Sequence, residues 1–385
     1  MRDVAIIGVG SSEFGELWER SLRDIFAEAA LAALRDAGVD HIDSLVVGCM
    51  SSGLFNGQEH LGALLADTLG ARPCPATRVE SACGSGAAAL RTGWIEVASG
   101  AADVVLVGGV EKMTDISGDK ATFALATASD VEYESFFGAT FPALNAMCAQ
   151  AHMERYGTTR EQLALVAVKN HANGALNPLA QFRKPVTVDA VVNSAPVADP
   201  LRMMDCAPIS DGAAAAVLCP LDMARRLSKK PVVRISGVGA ATDTIALHDR
   251  PDITWYQAVA DATARALAAA GRKLSDVNVA ELHDAFTINE LLIMEAIGLV
   301  PRGQSGRAVA DGMTALNGKL PVNPSGGLKA KGHPVGATGV SQIQELVLQL
   351  RGEAGARQVK GARIALAQNM GGVAASCFTH LLELE

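Results

Sequence analysis

Apolar residues along this chain fall into short runs of strand length, separated by stretches in which they recur at helical spacing. DVAIIGVG (3–10) is apolar without alternation and ends in a glycine turn, the pattern of a strand buried on both faces. SLRDIFAEAALAALRDAG (21–38) follows with helical periodicity and closes on Gly. SLVVGCM (44–50), ADVVLVGGV (102–110) and GAAAAVLCP (212–220) repeat the strand pattern, and 61–69 and 87–99 repeat the helical one. Alternation of this kind predicts an α/β protein on a mostly parallel sheet with helices on both faces.

The second half restarts the pattern. VVRISGVGAAT (232–242) echoes VAIIGVGSSEF (4–14), a helical run at 256–271 ends in Gly, and strands are expected at 277–282, 362–367 and 374–382. A Gly-rich turn, a helix and a strand ending in Gly-Gly occur at 83–109 and again at 332–372. The echo predicts two similar halves, 1–230 and 231–385, whose equivalent turns face one another across a pseudo-twofold axis. Cys83 occupies one turn and His333 the other. Between two strands of the first half, about 112–208 breaks the rhythm with polar, aromatic and turn-forming residues. A connection of that length reads as an inserted lid or ligand-binding subdomain.

Composition narrows the picture. Hydrophobic residues are 49% of the 385 and aromatics only 4%, so Ala, Val, Leu and Gly must build closely packed layers. The net charge of −8 argues against broad nucleic-acid binding, which needs a cationic track. The seven cysteines form no CxxC pair and no zinc spacing, so free thiols in a reducing cytoplasm are expected, with no bound metal. The first strand starts too near Met1 for a signal peptide. No apolar run approaches the roughly 18 to 20 residues of a membrane span. A soluble cytoplasmic protein is the expectation.

VESACGSGAAAL (79–90) carries the first chemical signal. A Cys beside alanines is often buried and inert. Here Gly84 and Gly86 clear the turn and an Ala/Leu run starts a helix, so the sulfur stands at a helix N-terminus, where the dipole favours thiolate and free N–H groups offer an oxyanion site. Cys49, Cys148, Cys206, Cys219 and Cys377 lack that setting, and Cys74 lies among prolines. His333, in GGLKAKGHPVGATG (326–339), precedes a proline that holds it just outside a helix start. His283 and Asp284, in AELHDAFTINELL (280–292), stand where a strand meets a helix; the Asp reads equally as an N-cap and the His as a structural residue or a donor to a substrate oxygen. GVGSSEFG fails the dinucleotide pattern, and Cys49-Met50 stand where an acidic ribose ligand belongs. Arg183, Lys184, Lys329 and Lys331 are the basic pairs available to phosphates, although a solvated face is the commoner place for such residues.

Together VESACGSGAAAL, VADPLRMMDCAPISDGAAAAVL, HDAF and GGLKAKGHPVGATG resemble the thiolase superfamily over essentially the whole chain, most closely its archaeal and sterol-carrier-protein type acetyl-CoA acetyltransferases. The resemblance implies a five-layered α/β/α/β/α fold with a loop domain, assembled as a dimer or tetramer, acting on coenzyme A thioesters with no permanently bound cofactor. It implies Cys83 as the acylated nucleophile, His333 as its activator and as a holder of the second substrate's thioester oxygen. It puts His283 at an oxyanion-hole position, and makes the N–H groups of Cys83 and of Gly371 or Gly372 donors to the tetrahedral intermediate. Claisen condensation of two acetyl-CoA to acetoacetyl-CoA would then follow acyl transfer.

In one respect the sequence departs from its relatives. Asn369 or Met370, and Ala285, stand where they carry a second catalytic thiol, and Gln368-Asn369 replaces a frequent His-Asn. The α-proton is therefore expected to pass to His283 or His333. A retro-aldol lyase on acyl-CoA side chains, or a non-catalytic acyl-CoA scaffold, is the alternative. The archaeal resemblance also implies a complex with hydroxymethylglutaryl-CoA synthase and a small OB-fold/zinc-ribbon protein in the mevalonate route to isoprenoids.

Overall fold

A computed structural model describes all 385 residues. The first half runs β1 (Val4–Ser11), α1 (Leu22–Ala37), β2 (Ser44–Gly48), α2 (Ser52–Asn56), α3 (Leu61–Thr68), β3 (Ala76–Val79), α4 (Ser85–Ser99) and β4 (Val105–Glu111). A long connection then carries α5 (Gly118–Ala126), α6 (Phe141–Tyr156), α7 (Arg160–Gly174), α8 (Val188–Val192) and the ribbon β5 (Pro196–Ala198) and β6 (Leu201–Arg202). It returns through β7 (Gly212–Pro220) to α9 (Leu221–Leu227). The second half follows with β8 (Val233–Thr242), α10 (Gln257–Ala270), β9 (Val279–Glu281), α11 (Thr287–Ala296), α12 (Ser305–Ala310), α13 (Gly327–Lys331), α14 (Thr338–Arg351), β10 (Ile364–Gly371) and β11 (Ser376–Leu384).

Local chemistry sets the ends of these elements. The Ser21 hydroxyl accepts the Asp24 N–H and the Asp24 carboxylate accepts the Ser21 N–H, a reciprocal cap that opens α1. Thr159 and Gln162 do the same for α7. The buried runs of β1, β2, β4 and β7 have scarcely a solvent-facing residue, because helices cover both faces of the strands.

Nine strands form one sheet in the order β3-β2-β4-β7-β1-β8-β11-β10-β9. Outward from the β1–β8 joint, the order is β1, β7, β4, β2, β3 on one side and β8, β11, β10, β9 on the other. Thus β8 answers β1, β11 answers β7, β10 answers β4 and β9 answers β2. The sheet is not mostly parallel: only β2–β3, β2–β4 and β9–β10 run together. The remaining pairings, β1–β7, β1–β8, β4–β7, β8–β11 and β10–β11, are antiparallel. The reason is connection length and direction, since 372–375 is a short hairpin that can only return β11 against β10.

Helix α1 packs on β1, β7 and β4, and α10 on β8 and β11, each on an outer face. Helices α4 and α14 touch one another, and α14 reaches strands of both halves with every residue but Leu348 buried. The order α1, strands, α4 with α14, strands, α10 gives five α/β/α/β/α layers. The two central helices meet near their first turns with no room for side chains: a Cβ on Gly86 would lie 2.6 Å from the Gly336 carbonyl oxygen, and one on Gly339 2.3 Å from the Ala87 nitrogen. Glycine is required there by backbone contact. The long connection is no loose loop, for Leu144, Cys148, Leu163 and Val166 share a core with Tyr256, Ile288 and Leu291 of the second half. It roofs the place where the helix starts meet.

Candidate active site

Cys83 sits one residue before Gly84, the cap of α4. The turn is tight: Ala82 is held at φ 50°, a left-handed conformation that costs a residue with a Cβ of order 1 kcal/mol or more. Ser85 pins it, accepting the Ser81 N–H at 2.9 Å and donating to the Ala82 carbonyl at 2.6 Å. The Ser81 hydroxyl meets Ser376 of β11 at 2.8 Å.

His333 reaches the same place from the second half. Its N–H donates to Ser210 Oγ at 3.0 Å, and Glu111 at the end of β4 accepts the Gly336 N–H at 3.1 Å and the Met50 N–H at 2.8 Å. His283 arrives on the loop after β9. Asp284 does not cap the following helix α11, whose cap position is Phe286; it accepts the Leu328 N–H at 2.6 Å and the Lys329 N–H at 3.3 Å in α13. It thereby ties the His283 loop to the helix that leads into His333. Cys83 Sγ and one ring nitrogen from each of His283 and His333 lie within 4.8 Å of one another, and the two rings meet edge to face at 5.1 Å.

Hydrogen bonds assign the two imidazoles different roles. Thr338 Oγ1 donates to the Pro334 carbonyl at 3.1 Å, so at 2.7 Å it accepts from His333 Nδ1–H. His333 Nε2 is then a lone pair, buried and without a partner. His283 Nδ1 faces Asn369 Nδ2 at 2.8 Å and the Met370 N–H at 3.5 Å, and accepts from both, which leaves its proton on Nε2 as a donor. The same three side chains are a soft metal's donor set, but the Met370 N–H opposes it, because a neutral imidazole ligating through Nε2 must protonate Nδ1.

Burial controls the charge states. It holds His333 down to about 3 and, with His333 beside it, keeps His283 well below the usual imidazole range. Burial pushes the Cys83 thiol up to about 12, with Glu111 and Glu80 adding to the rise while the N–H groups of Gly372 and of Cys83 itself pull the other way. Burial therefore works against the thiolate expected at the helix start, with the N–H groups there opposing it, and favours the uncharged form of both groups.

A cavity of about 150 Å³ is lined by Cys83, His283, His333 and Gly372 together with Phe141 and Ala285. Gly372, not Gly371, faces it. Pro142, Cys206, Ala207 and Pro208 are shared with a groove of about 900 Å³ whose wall includes Arg183, Lys184 and Lys329. Lys331 does not join them; it is buried on the other side of α13 with Nζ 5.7 Å from the Phe14 ring centroid. Ala285 borders the cavity without a thiol, Asn369 stands behind His283, and Met370 is in the core. Sequence reasoning missed Thr338 and Glu111, and it dismissed Cys206, which lines both spaces. A hydroxyl five residues after His333 was the one local signal available for Thr338.

A thiol beside an unprotonated imidazole nitrogen, with donors at the same small space, can carry an acyl group on sulfur and release it to a second reactant, the chemistry of an acyltransferase. The comparisons make the class specific. Residues 4–222 match the thiolase N-terminal domain and 239–384 the thiolase C-terminal domain-like family. The chain is 54% identical to the acetyl-CoA acetyltransferase of Methanothermobacter thermautotrophicus over 99% of both chains. It is 35% identical to sterol carrier protein 2 of Bos taurus over 96% of this chain and 70% of that protein. Among solved structures, the Ltp2-ChsH2(DUF35) aldolase superposes with a TM-score of 0.86 at 27% identity, over 99% of this chain and 98% of that one. The chain belongs to the thiolase family.

Proposed function

We propose that this protein is an acetyl-CoA C-acetyltransferase that condenses two acetyl-CoA to acetoacetyl-CoA and CoA, and runs the reverse thiolysis. The observation that carries the reading is the free Nε2 lone pair of His333 in the cavity that holds the Cys83 thiol. His333 takes the thiol proton as Sγ attacks the first thioester, so Cys83 need not ionise before it attacks. The N–H groups of Cys83 and Gly372 receive the oxyanion, and His283 Nε2–H donates to the thioester oxygen of the second substrate. Of the two imidazoles expected to accept the α-proton, the hydrogen bonds of His283 speak against it.

The groove supports a coenzyme A path, with Arg183, Lys184 and Lys329 available to its phosphates. No helix is long and apolar enough to cross a membrane. We infer a cytoplasmic homodimer or homotetramer that supplies the mevalonate route in company with hydroxymethylglutaryl-CoA synthase and an OB-fold/zinc-ribbon protein. The DUF35 component named with the solved aldolase supports association with a second protein. That same neighbour favours retro-aldol cleavage as a second reading.

Incubation with acetyl-CoA followed by intact-protein mass measurement tests the proposal. An acetyl adduct is expected, absent in Cys83→Ser, with acetoacetyl-CoA accumulating on further acetyl-CoA. Cleavage of a β-hydroxyacyl-CoA side chain without an adduct would favour the lyase.

A further inference from the structure

Condensation moves more than one proton. After His333 Nε2 has taken the Cys83 proton it is a donor, suited to the thioester oxygen of the incoming substrate beside His283. In that state it cannot also take a proton from the α-carbon. Nor does its depressed basicity match a carbon acid, since a base is effective when its affinity for the proton suits the transfer.

The cavity wall offers few other acceptors. Its titratable side chains are Cys83, His283, His333 and Cys206. The first is occupied as the acyl carrier, and the two imidazoles have the roles given above. Cys206 is left, by position and not by type alone: it lines both the cavity and the groove, on the path proposed for coenzyme A. A backbone bridge to Phe286, and donation from the Ala207 N–H to the Ala285 carbonyl at 2.8 Å, hold it against the loop that bears His283. Its Sγ makes one long donation, to the Arg202 carbonyl at 3.4 Å, so the proton is not locked away. Burial and Asp205 push the thiol up to about 12 while Lys329 in the groove wall pulls it down, so a thiolate formed there is a strong base with a cation near it.

We propose that Cys206 is the second proton carrier of the reaction, a role that rests on the acetyltransferase reading. In acylation, Cys83 Sγ bonds to the acetyl carbon, His333 takes the Sγ proton, the bond from that carbon to the CoA sulfur breaks, and the CoA sulfur takes the proton of Cys206. In condensation, the Cys206 thiolate takes one proton from the methyl group of the second acetyl-CoA. The electron pair released forms the new carbon–carbon bond, the bond from Cys83 Sγ to the acetyl carbon breaks, and Cys83 recovers its proton from His333. Both side chains end as they began.

The test uses the full-length chain with Cys206→Ala and the near-isosteric Cys206→Ser, which keeps a donor to Arg202. Acetylation of Cys83, followed by mass, is expected to stay within about 10-fold of the parent, because a CoA thiolate can leave without a proton. Acetoacetyl-CoA formation, and exchange of the acetyl-CoA methyl protons in heavy water, should fall on the order of 10² to 10⁴-fold. Restoring a thiol on the adjoining wall, in Cys206→Ala with Ala285→Cys, should recover part of the exchange. Condensation within a few-fold of the parent in both single variants, or a loss of acylation larger than the loss of condensation, overturns the proposal. A parent chain that forms no acetyl adduct would instead defeat the acetyltransferase reading beneath it.

Discussion

The turns that open α4 and α14 share one plan, a glycine-rich bend before a buried helix, yet they are held in different ways. The Cys83 turn is pinned largely by its own neighbours, through Ser85 and the left-handed Ala82. The His333 turn is held by groups of the opposite half, Ser210 and Glu111, and only its ring is fixed locally, by Thr338. Cys83, the proposed nucleophile, is therefore placed by local sequence, and His333, the proposed base, by docking of the halves. Burial acts on both in the same sense, toward the uncharged form. On the proposed mechanism, a pair held toward neutrality passes its proton as a substrate carbonyl receives the sulfur.

The contact between the helix starts should be the most fragile element of this arrangement. Gly339→Ala would drive a Cβ against the Ala87 nitrogen and Asn369 Oδ1, forcing α14 off α4. A loss of about 3 kcal/mol in urea unfolding, and loss of acetylation with it, is expected. Gly118→Ala, where nothing lies within 4 Å, should shift stability by no more than about 0.5 kcal/mol. Equal tolerance of both would dissolve the argument that backbone contact joins the turns.

A smaller effect should separate the base from its scaffold. Thr338→Val removes the acceptor of His333 Nδ1–H and frees the ring to exchange its proton to Nε2. Acetylation is expected to slow about 10 to 100-fold, with stability lowered by about 1 to 3 kcal/mol in urea unfolding and the fold retained. An unaltered rate of adduct formation would mean that the tautomer is set by something else.

The least change is expected from pH. His333 is lowered to about 3, so it stays an unprotonated base as pH falls below the ordinary imidazole range, and Cys83, raised to about 12, stays a thiol as pH rises. The acetylation rate should be level from about pH 5 to 8. A rapid-mixing profile with a midpoint near 6.5 would show that the two turns sit in water rather than in a dry cavity.

Much of this was legible in the chain. Buried strands announce themselves as unbroken apolar runs, and both glycine turns stand out because backbone contact admits no other residue. Strand direction was not legible, for an apolar run reads alike in either sense, and the antiparallel return of β7 and β11 depends on connections. Helix α6 hid because its buried face includes Asn145, Cys148 and His152, which blur the periodicity, although Pro142 at its start and Gly157 at its end were fair signals. Lys329 and Lys331 were grouped as a pair, but two residues apart on a helix they point to different sides. Cys206 was dismissed because the groups that give it meaning, Ala285 and Lys329, are far away in sequence.

Strand β11, the last of the sheet in chain order, lies inside the sheet between β8 and β10, and its Ser376 touches the turn that carries Cys83. A chain emerging from the ribosome thus exposes its sulfur long before that strand exists to complete the architecture around it. Until then the turn that bears Cys83 lacks its contact with Ser376, and the sheet on that side is incomplete. On the proposed mechanism the chain cannot take up a thioester while it is half made, and competence waits for that strand to be synthesised.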